Sequence, residues 1–294
     1  MKHFFIALLF IATTFSANAQ ITVKVPSLSP NAKVSQDFSV SNIEISYSRP
    51  SMRGRKIFGD VTGDVIPFGK VWRTGANAPT KIKIGEELEI AGHKVKAGEY
   101  ALYTIPGKEK WEVIFNTGTG TWTAEGFPRD FDVARFFIRP LPVEGDVQTF
   151  TIAITDITFT TCKLELSWER TKIVIPIVAR NNEVVETNID KAINTPPTLP
   201  YFQVANYYFE SNMKLDKASE YVNKALEQDP KAFYAWYLKA RIEKKLDHKE
   251  EAKVAARKSM ELAKGTPNEN EYMRNNQRLI DELNRQLRYR QPAD

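Results

Sequence analysis

Hydrophobic and polar side chains alternate along the chain from Ile21 to about Val178. Alternation with a period of two places every second side chain on one face of a β-strand, so it predicts strands that bury one face. Gly and Pro residues separate these runs and mark turns between short strands. The alternating runs are 43–47, 100–105, 111–116, 133–138, 149–155, 163–168 and 172–178. The pattern therefore predicts an all-β domain over residues 20–179, either an antiparallel sandwich or a barrel-like fold.

The period of the hydrophobic pattern becomes helical from Pro200 onwards. The spacing of aromatic and small residues there follows that of tetratricopeptide repeats, which are pairs of antiparallel helices. A second, weaker copy follows one repeat later, and a final amphipathic helix is predicted over 268–287. The residues that match the first repeat are Phe202, Ala205, Asn206, Phe209, Ala218, Val222, Ala225 and Pro230. We therefore predict an α-helical tetratricopeptide-like tail over residues 200–290.

A linker is predicted between the two regions, over residues 180–199, with a short helix within 185–193. Asparagines open this segment and Pro196-Pro197 closes it. Tetratricopeptide arrays usually need about three repeats to bury a continuous core. We therefore expect the helices to dock on the β domain or on a partner.

The N-terminal residues have the pattern of a secretory signal peptide. Lys2 and His3 precede an apolar run from Phe4 to Phe15, and Ala17-Asn18-Ala19 matches a cleavage site. The run is shorter than the about 20 residues that a membrane-spanning helix needs, and later apolar segments are interrupted by charges. We therefore predict a signal peptide over residues 1–19 and a mature chain without a transmembrane segment. The expected location is the periplasm or the cell surface of a Gram-negative-type bacterium.

Charge and histidine content narrow the classes of function. The net charge is +5, and residues 191–294 carry most of it, with 19 basic and 15 acidic side chains. This excess is too small to predict nucleic-acid binding, which requires a denser basic face. The mature chain has only His93 and His248, in different predicted regions, which argues against a histidine-based triad or a multi-histidine zinc site. No metal, cofactor or nucleic-acid partner is predicted.

Cys162 is the only cysteine, so the chain cannot form an intramolecular disulfide. Alternation places it on the same strand face as Leu164, Leu166 and Trp168. We therefore interpret Cys162 as a small buried hydrophobic residue.

The densest cluster of distinctive polar residues lies in the irregular stretch from Ser48 to Pro79. Guanidinium groups recognise carboxylates and phosphates in a bidentate geometry, and a tryptophan ring can stack on a sugar. One hypothesis is therefore a binding site for an anionic or carbohydrate ligand. The alternative is structural, because long loops also use Arg and Asn side chains to satisfy their own carbonyls. The candidate ligand-binding residues are Arg49, Arg53, Arg55, Trp72, Arg73, Thr74 and Asn77.

This stretch resembles an uncharacterised bacterial family of exported proteins, domain of unknown function 2911. The segments that carry the resemblance are 47–59, 67–80, which contains Trp-Arg-Thr-Gly-Ala-Asn, and 97–106, together with Trp111. The resemblance covers roughly residues 30–178. It implies an exported domain that can be followed by helical repeats, and it brings no established activity, substrate or catalytic residue.

Three functions remain open from the sequence. The first is a non-catalytic binding or scaffold protein of the cell envelope, whose helical tail contacts a protein or peptide through Tyr201, Tyr208 or Tyr237. The second is a carbohydrate-active or anionic-ligand-processing enzyme that uses the Arg-rich loops and a carboxylate as acid or base. The third is a purely structural surface protein without a pocket. Two carboxylate pairs could serve such an enzyme, Asp60 with Asp64 and Asp130 with Asp132, although Asp is common in turns.

Overall fold

The computed structural model describes residues 25–61, 63–120, 129–193 and 200–288, with side chains to residue 285 in the last segment. The predicted signal peptide lies outside the described residues. Within the described residues, a β-rich part spans residues 31–179, and six helices follow it. The predicted fold class, an all-β domain followed by an α-helical tail, is therefore confirmed.

Two antiparallel sheets make up most of the β domain in the described part of the chain. A six-stranded sheet has the order β1-β2-β5-β8-β9-β10, and a four-stranded sheet has the order β11-β12-β6-β7. Strands β3 and β4 form a short parallel pair. The strands are β1 (Asn31–Phe38), β2 (Ser41–Ser48), β3 (Phe58–Gly59), β4 (Ile66–Pro67), β5 (Thr80–Ile84), β6 (Leu88–Ile90), β7 (His93–Val95), β8 (Gly98–Ile105), β9 (Trp111–Asn116), β10 (Asp132–Ile138), β11 (Leu141–Thr155) and β12 (Thr161–Ala179).

The core lies between the two sheets, where the alternating side chains meet. Ile43 and Ile45 of β2 and Leu164 of β12 are each at most 1% exposed. Cys162 is buried on the same face of β12 as Leu164, as the alternation predicted, and this burial raises the pKa of its thiol to about 12. A protonated, buried thiol packs as a small apolar group.

The segment after β2 joins the two sheets along one edge. The backbone N–H of Met52 donates to the carbonyl of Gln148 over 2.8 Å, and that of Phe150 donates to Pro50 over 2.9 Å. The chain therefore leaves the six-stranded sheet and pairs with β11 of the other sheet. The sequence does not distinguish a sandwich from a barrel-like fold. The observed fold is a sandwich, and this crossing partly closes one of its sides as in a barrel.

The helices of the tail are α1 (Asn182–Ile193), α2 (Tyr201–Glu210), α3 (Leu215–Gln228), α4 (Phe233–Lys245), α5 (Lys249–Ala263) and α6 (Glu269–Arg288). Short loops join consecutive helices from α2 to α6 in the tail. Helix α2 packs on α3, α4 packs on α5, and α6 packs on both α5 and α4. Short connections of this kind place consecutive helices antiparallel.

Helix α1 lies within the segment predicted as a linker. Its Val185 and Ile189 are spaced by one turn and pack in one apolar cluster with Val204 of α2 and Val222 of α3. The tail also contacts the β domain, where the ring of Phe159 stacks on Tyr207 with centroids 6.2 Å apart. No helix in the described segments is long and apolar enough to cross a membrane.

Candidate functional site

Trp72 lies in the core between the sheets and is 5% exposed. Its ring stacks on Trp168 with centroids 5.8 Å apart and meets Phe150 edge-on at 5.0 Å. Its indole N–H donates to the carbonyl of Gly75 over 2.9 Å. The main chain of Trp72 also exchanges two hydrogen bonds with Thr104 of β8. Trp72 therefore anchors the following loop to the core, with its ring covered by protein.

Hydrogen bonds among its own polar groups hold the loop that follows. Thr74 has a left-handed backbone with φ of +53°, which is costly for a β-branched residue. Its buried hydroxyl donates to the hydroxyl of Thr104 over 3.1 Å and so helps to offset this strain. A Cβ on Gly75 would lie 3.2 Å from the carbonyl oxygen of Ser48, so the close approach favours glycine. Asn77 donates to the hydroxyl of Ser48 over 3.2 Å and closes the loop onto β2.

The four candidate arginines, at positions 49, 53, 55 and 73, all donate hydrogen bonds to acceptors within the protein. Arg49 uses Nε to reach the carbonyl of Phe150 at 3.1 Å and Nη2 to reach the hydroxyl of Thr151 at 2.8 Å. It therefore ties the end of β2 to β11 of the other sheet. The other three donate to backbone carbonyls: Arg53 to Leu28, Arg55 to Met52 and Ser51, and Arg73 to Asn77.

These contacts favour the structural interpretation of the Arg-rich loops. The loop brings Trp72, Arg73, Thr74 and Asn77 together, but their polar groups bond to one another and to neighbouring strands. Each guanidinium group donates to a different acceptor of the protein. The ligand-binding role of these residues stays a prediction.

The carboxylate pairs also make structural contacts. Asp64 has a side chain that is 4% exposed, accepts from the backbone N–H of Val61 over 3.1 Å and lies 3.6 Å from Lys56 Nζ. Asp132 accepts from Arg135 over 2.8 Å and from Asn116 over 2.8 Å. Their partners in the two pairs, Asp60 and Asp130, are exposed. Neither pair lines any of five well-formed clefts among the described residues.

The three candidate tyrosines of the tail occupy different places. Tyr208 is 3% exposed, and burial together with nearby carboxylates raises its pKa to about 12. Tyr201 stacks on Tyr221 of α3 with centroids 5.8 Å apart. Tyr237 is half-buried and lines a cleft. Tyr201 and Tyr208 therefore contribute to helix packing, and of the three only Tyr237 faces the cleft described next.

A cleft of about 400 Å³ opens between helices α2, α4 and α6. Apolar surface comes from one residue of each helix, Phe209, Tyr237 and Leu279. Tyr237 is held in place by Tyr272 of α6, whose ring it meets edge-on at 5.5 Å. The polar residues that line the cleft are Arg241, Lys244, Lys245, Asn275, Arg278 and Glu282.

The charge of this cleft is strongly positive. Four of its lining side chains are cations and one, Glu282, is an anion. Glu282 pairs with Lys244, and this hydrogen bond lowers the pKa of Glu282. Arg241 lies with its guanidinium carbon 4.5 Å from the ring centroid of Phe209 and pairs with Glu210 at 2.9 Å.

Two cations of the cleft are exposed and form no ion pair with any described residue. Lys245 places its Nζ 5.2 Å from the ring centroid of Phe209, and Arg278 projects from α6. Asn275, one turn before Arg278, makes no hydrogen bond through its amide with the described residues. The cleft therefore presents hydrogen-bond donors that the fold does not use.

From the sequence, Tyr237 is named as a candidate, but the cations that surround it in the cleft are not. Tyr237, Arg241 and Lys245 are spaced four residues apart, so they share one face of α4. Asn275 and Leu279 share a face of α6 for the same reason. The spacing of these residues in the sequence is a signal that could have identified the cations. The net charge of the whole tail does not reveal them, because it does not show that they lie on one side.

Within the described segments, no group of three or more His, Cys, Asp or Glu side chains is placed to hold a metal ion. A family model described as "Protein of unknown function (DUF2911)" matches residues 29–177, and the chain belongs to this family. The match covers the β domain and ends before the helical tail. A comparison with curated proteins finds no match.

Proposed function

Since the chain belongs to a family without an assigned activity, we propose that it is an exported, non-catalytic binding protein of the cell envelope. In this proposal the helical tail holds a segment of a partner protein in the cleft between α2, α4 and α6. The β domain is the scaffold that carries the tail. The observation that carries the proposal is the cleft itself, with its apolar surface and its unused donors.

The shape of the cleft suits a peptide segment. Tyr237 and Lys245 lie eight residues apart on α4, a distance of about 12 Å along the helix axis. An extended peptide rises about 3.3 Å per residue, so three or four residues span this length. The aromatic rings provide apolar contact area, and Asn275 can bond to peptide groups in either direction.

The tail supports this proposal better than the Arg-rich loops do. Polar side chains that already bond to their own backbone must break those bonds before they bind a ligand. Arg49 and Trp72 are in that position, whereas Lys245 and Arg278 are not.

Peptide selection tests the proposal directly. Random peptides displayed on phage are selected on the mature chain, and the selected peptides are then measured by fluorescence polarisation. We expect binders whose affinity is lost in Asn275→Trp, because the larger ring fills the cleft while the half-buried Asn275 makes no bond that holds the fold.

The matched control is Gln277→Trp, which adds the same ring to an exposed position of α6 two residues further on. Residues two apart do not share a helix face, so this variant leaves the cleft open. Selection that yields no peptide sensitive to Asn275→Trp would contradict the proposal. Mass spectrometry of the protein secreted by its host tests the export part, since a mature N-terminus at Gln20 is expected.

A further inference from the structure

The cations of the cleft are in excess over the acids that could neutralise them. Arg241 and Lys244 each have a carboxylate partner, Glu210 and Glu282. Lys245 and Arg278 form no ion pair with a described carboxylate, although Arg278 lies near enough to Glu282 to help lower the pKa of that carboxyl. All four cations come from α4 and α6, so they surround one space instead of being spread over the tail.

We infer that the partner segment in this cleft is acidic, with Asp or Glu side chains that pair with Lys245 and Arg278. This inference rests on the proposed function and specifies the partner of the same site. Exposed cations close to apolar surface favour a ligand that brings both carboxylates and apolar groups. The cleft offers both, because Phe209 and Tyr237 lie beside the cations.

The geometry of the two free cations distinguishes their roles. Lys245 rests on the face of the Phe209 ring, which holds its ammonium group near the cleft through a cation–π contact. Arg278 lies across the cleft on α6, where a guanidinium fork can bind a carboxylate with two hydrogen bonds. A peptide with two acidic side chains can therefore engage both walls at once.

An acidic peptide fits this site better than an anionic membrane does. A bilayer surface is flat and attracts basic side chains that project outward from a helix. Here the cations line a concavity, and Arg241 and Lys244 are only about one third exposed (34% and 30%). A single extended segment can enter a cleft of about 400 Å³, whereas a lipid surface cannot follow it.

The test uses the peptides selected on the mature chain. We expect them to be enriched in Asp and Glu relative to the unselected library. Their affinity should fall at least about tenfold in the double variant Lys245→Glu, Arg278→Glu, because attraction becomes like-charge repulsion. It should also weaken as the salt concentration rises from about 50 to about 300 mM, since partly exposed charge pairs are screened.

The matched control is the double variant Arg257→Glu, Lys264→Glu. Both residues are exposed and belong to α5 and its end, outside the lining of the cleft. The variant changes the net charge of the protein by the same amount and should keep the affinity within about twofold, as is usual for charges remote from an interface.

The possible results separate the two proposals. One possible result is that the selected peptides are neutral or basic, that Asn275→Trp abolishes their binding, and that Lys245→Glu, Arg278→Glu leaves their affinity unchanged. This result would overturn the acidic partner but support the peptide cleft. The absence of any peptide blocked by Asn275→Trp would overturn both. A third result would be that the mature chain binds phosphatidylglycerol vesicles but no acidic peptide, and that the double variant Lys245→Glu, Arg278→Glu does not bind the vesicles. The ligand of the cleft would then be an anionic lipid surface and not a peptide.

Discussion

The Trp72 loop and the helical cleft contain the same kinds of side chain and use them in opposite ways. Each combines arginine with aromatic rings and an asparagine. In the loop, Asn77 and the arginines bond to strands and carbonyls, and Trp72 is buried among core rings. In the cleft, Tyr237 and Arg278 face an open space between three helices.

The difference shows that a distinctive motif need not be a binding site. The stretch Trp-Arg-Thr-Gly-Ala-Asn is restricted at nearly every position by backbone geometry: a covered ring, a close glycine and residues with positive φ at Thr74 and Asn77. The residues that line the cleft are under fewer backbone constraints, and what they share is positive charge and exposed apolar surface. Whether such a group of side chains can bind a ligand depends on whether its hydrogen-bond donors already have acceptors in the folded protein.

The largest expected effect follows from Trp72→Ala in the β domain. Removing this ring leaves a cavity among Trp168, Phe150 and Phe58, so the free energy of unfolding should fall by about 3–5 kcal/mol. Urea unfolding measures the loss, and hydrogen-exchange mass spectrometry locates it in the β domain. Trp236→Ala, on the tail, is the control and should leave β-domain exchange unchanged. A loss below about 1 kcal/mol would show that the ring is not packed as described.

Arg49→Ala should have the next largest effect. It removes the two hydrogen bonds to Phe150 and Thr151 that tie β2 to β11, so the free energy of unfolding should fall by about 1–3 kcal/mol. Arg139→Ala, at an exposed position of the same domain, should change it by less than about 0.5 kcal/mol.

A second substitution at the same residue, Arg49→Lys, tests the ligand-binding alternative for the loops. A thermal-shift screen with sugars, sugar acids and phosphorylated compounds would detect a ligand, because saturation at about 100 times the dissociation constant stabilises by about 2.7 kcal/mol. A compound that stabilises the parent protein but not a folded Arg49→Lys variant would contradict the structural interpretation of these arginines.

The architecture could be predicted from the sequence because it depends on periodicity. Alternation around Ile43 and Leu164 marks buried strand faces, and a change of period marks the helices. The direction of the Arg49 side chain could not be predicted, because its acceptor lies about a hundred residues away on β11. Helix α1 was harder to recognise as a packed element, since only Val185 and Ile189 mark its buried side.

A smaller effect is expected from pH in the tail. The pKa of His248 is raised above its ordinary value of 6.5, chiefly by a hydrogen bond from Nδ1 to Glu243 at 2.8 Å, with Glu251 and Asp216 adding attraction and desolvation opposing it. A raised pKa means that the folded tail binds the proton more tightly, so this stabilisation is complete below pH 6.5 and is lost as the pH rises through the pKa of the folded state.

Thermal unfolding of the tail, followed by far-UV circular dichroism between about pH 5.5 and about pH 8, measures this dependence. His248→Gln keeps a polar side chain and should flatten the profile in that range. An equally steep profile in His248→Gln would assign the dependence to other groups.

The smallest effect on the free energy of unfolding is expected from substitutions of the two cleft cations, which should have the largest effect on peptide binding. Lys245→Gln and Arg278→Gln remove exposed charges that have no ion pair among the described residues, so each should change the free energy of unfolding by less than about 0.5 kcal/mol. Both substitutions keep a polar side chain whose helix propensity is close to that of Lys and Arg, so they preserve the helices. Urea unfolding of each variant measures the change. A loss comparable to that of Arg49→Ala would mean that these cations hold the fold, as the arginines of the β domain do. Unchanged stability with weaker peptide binding would mean that the fold leaves them available for a partner.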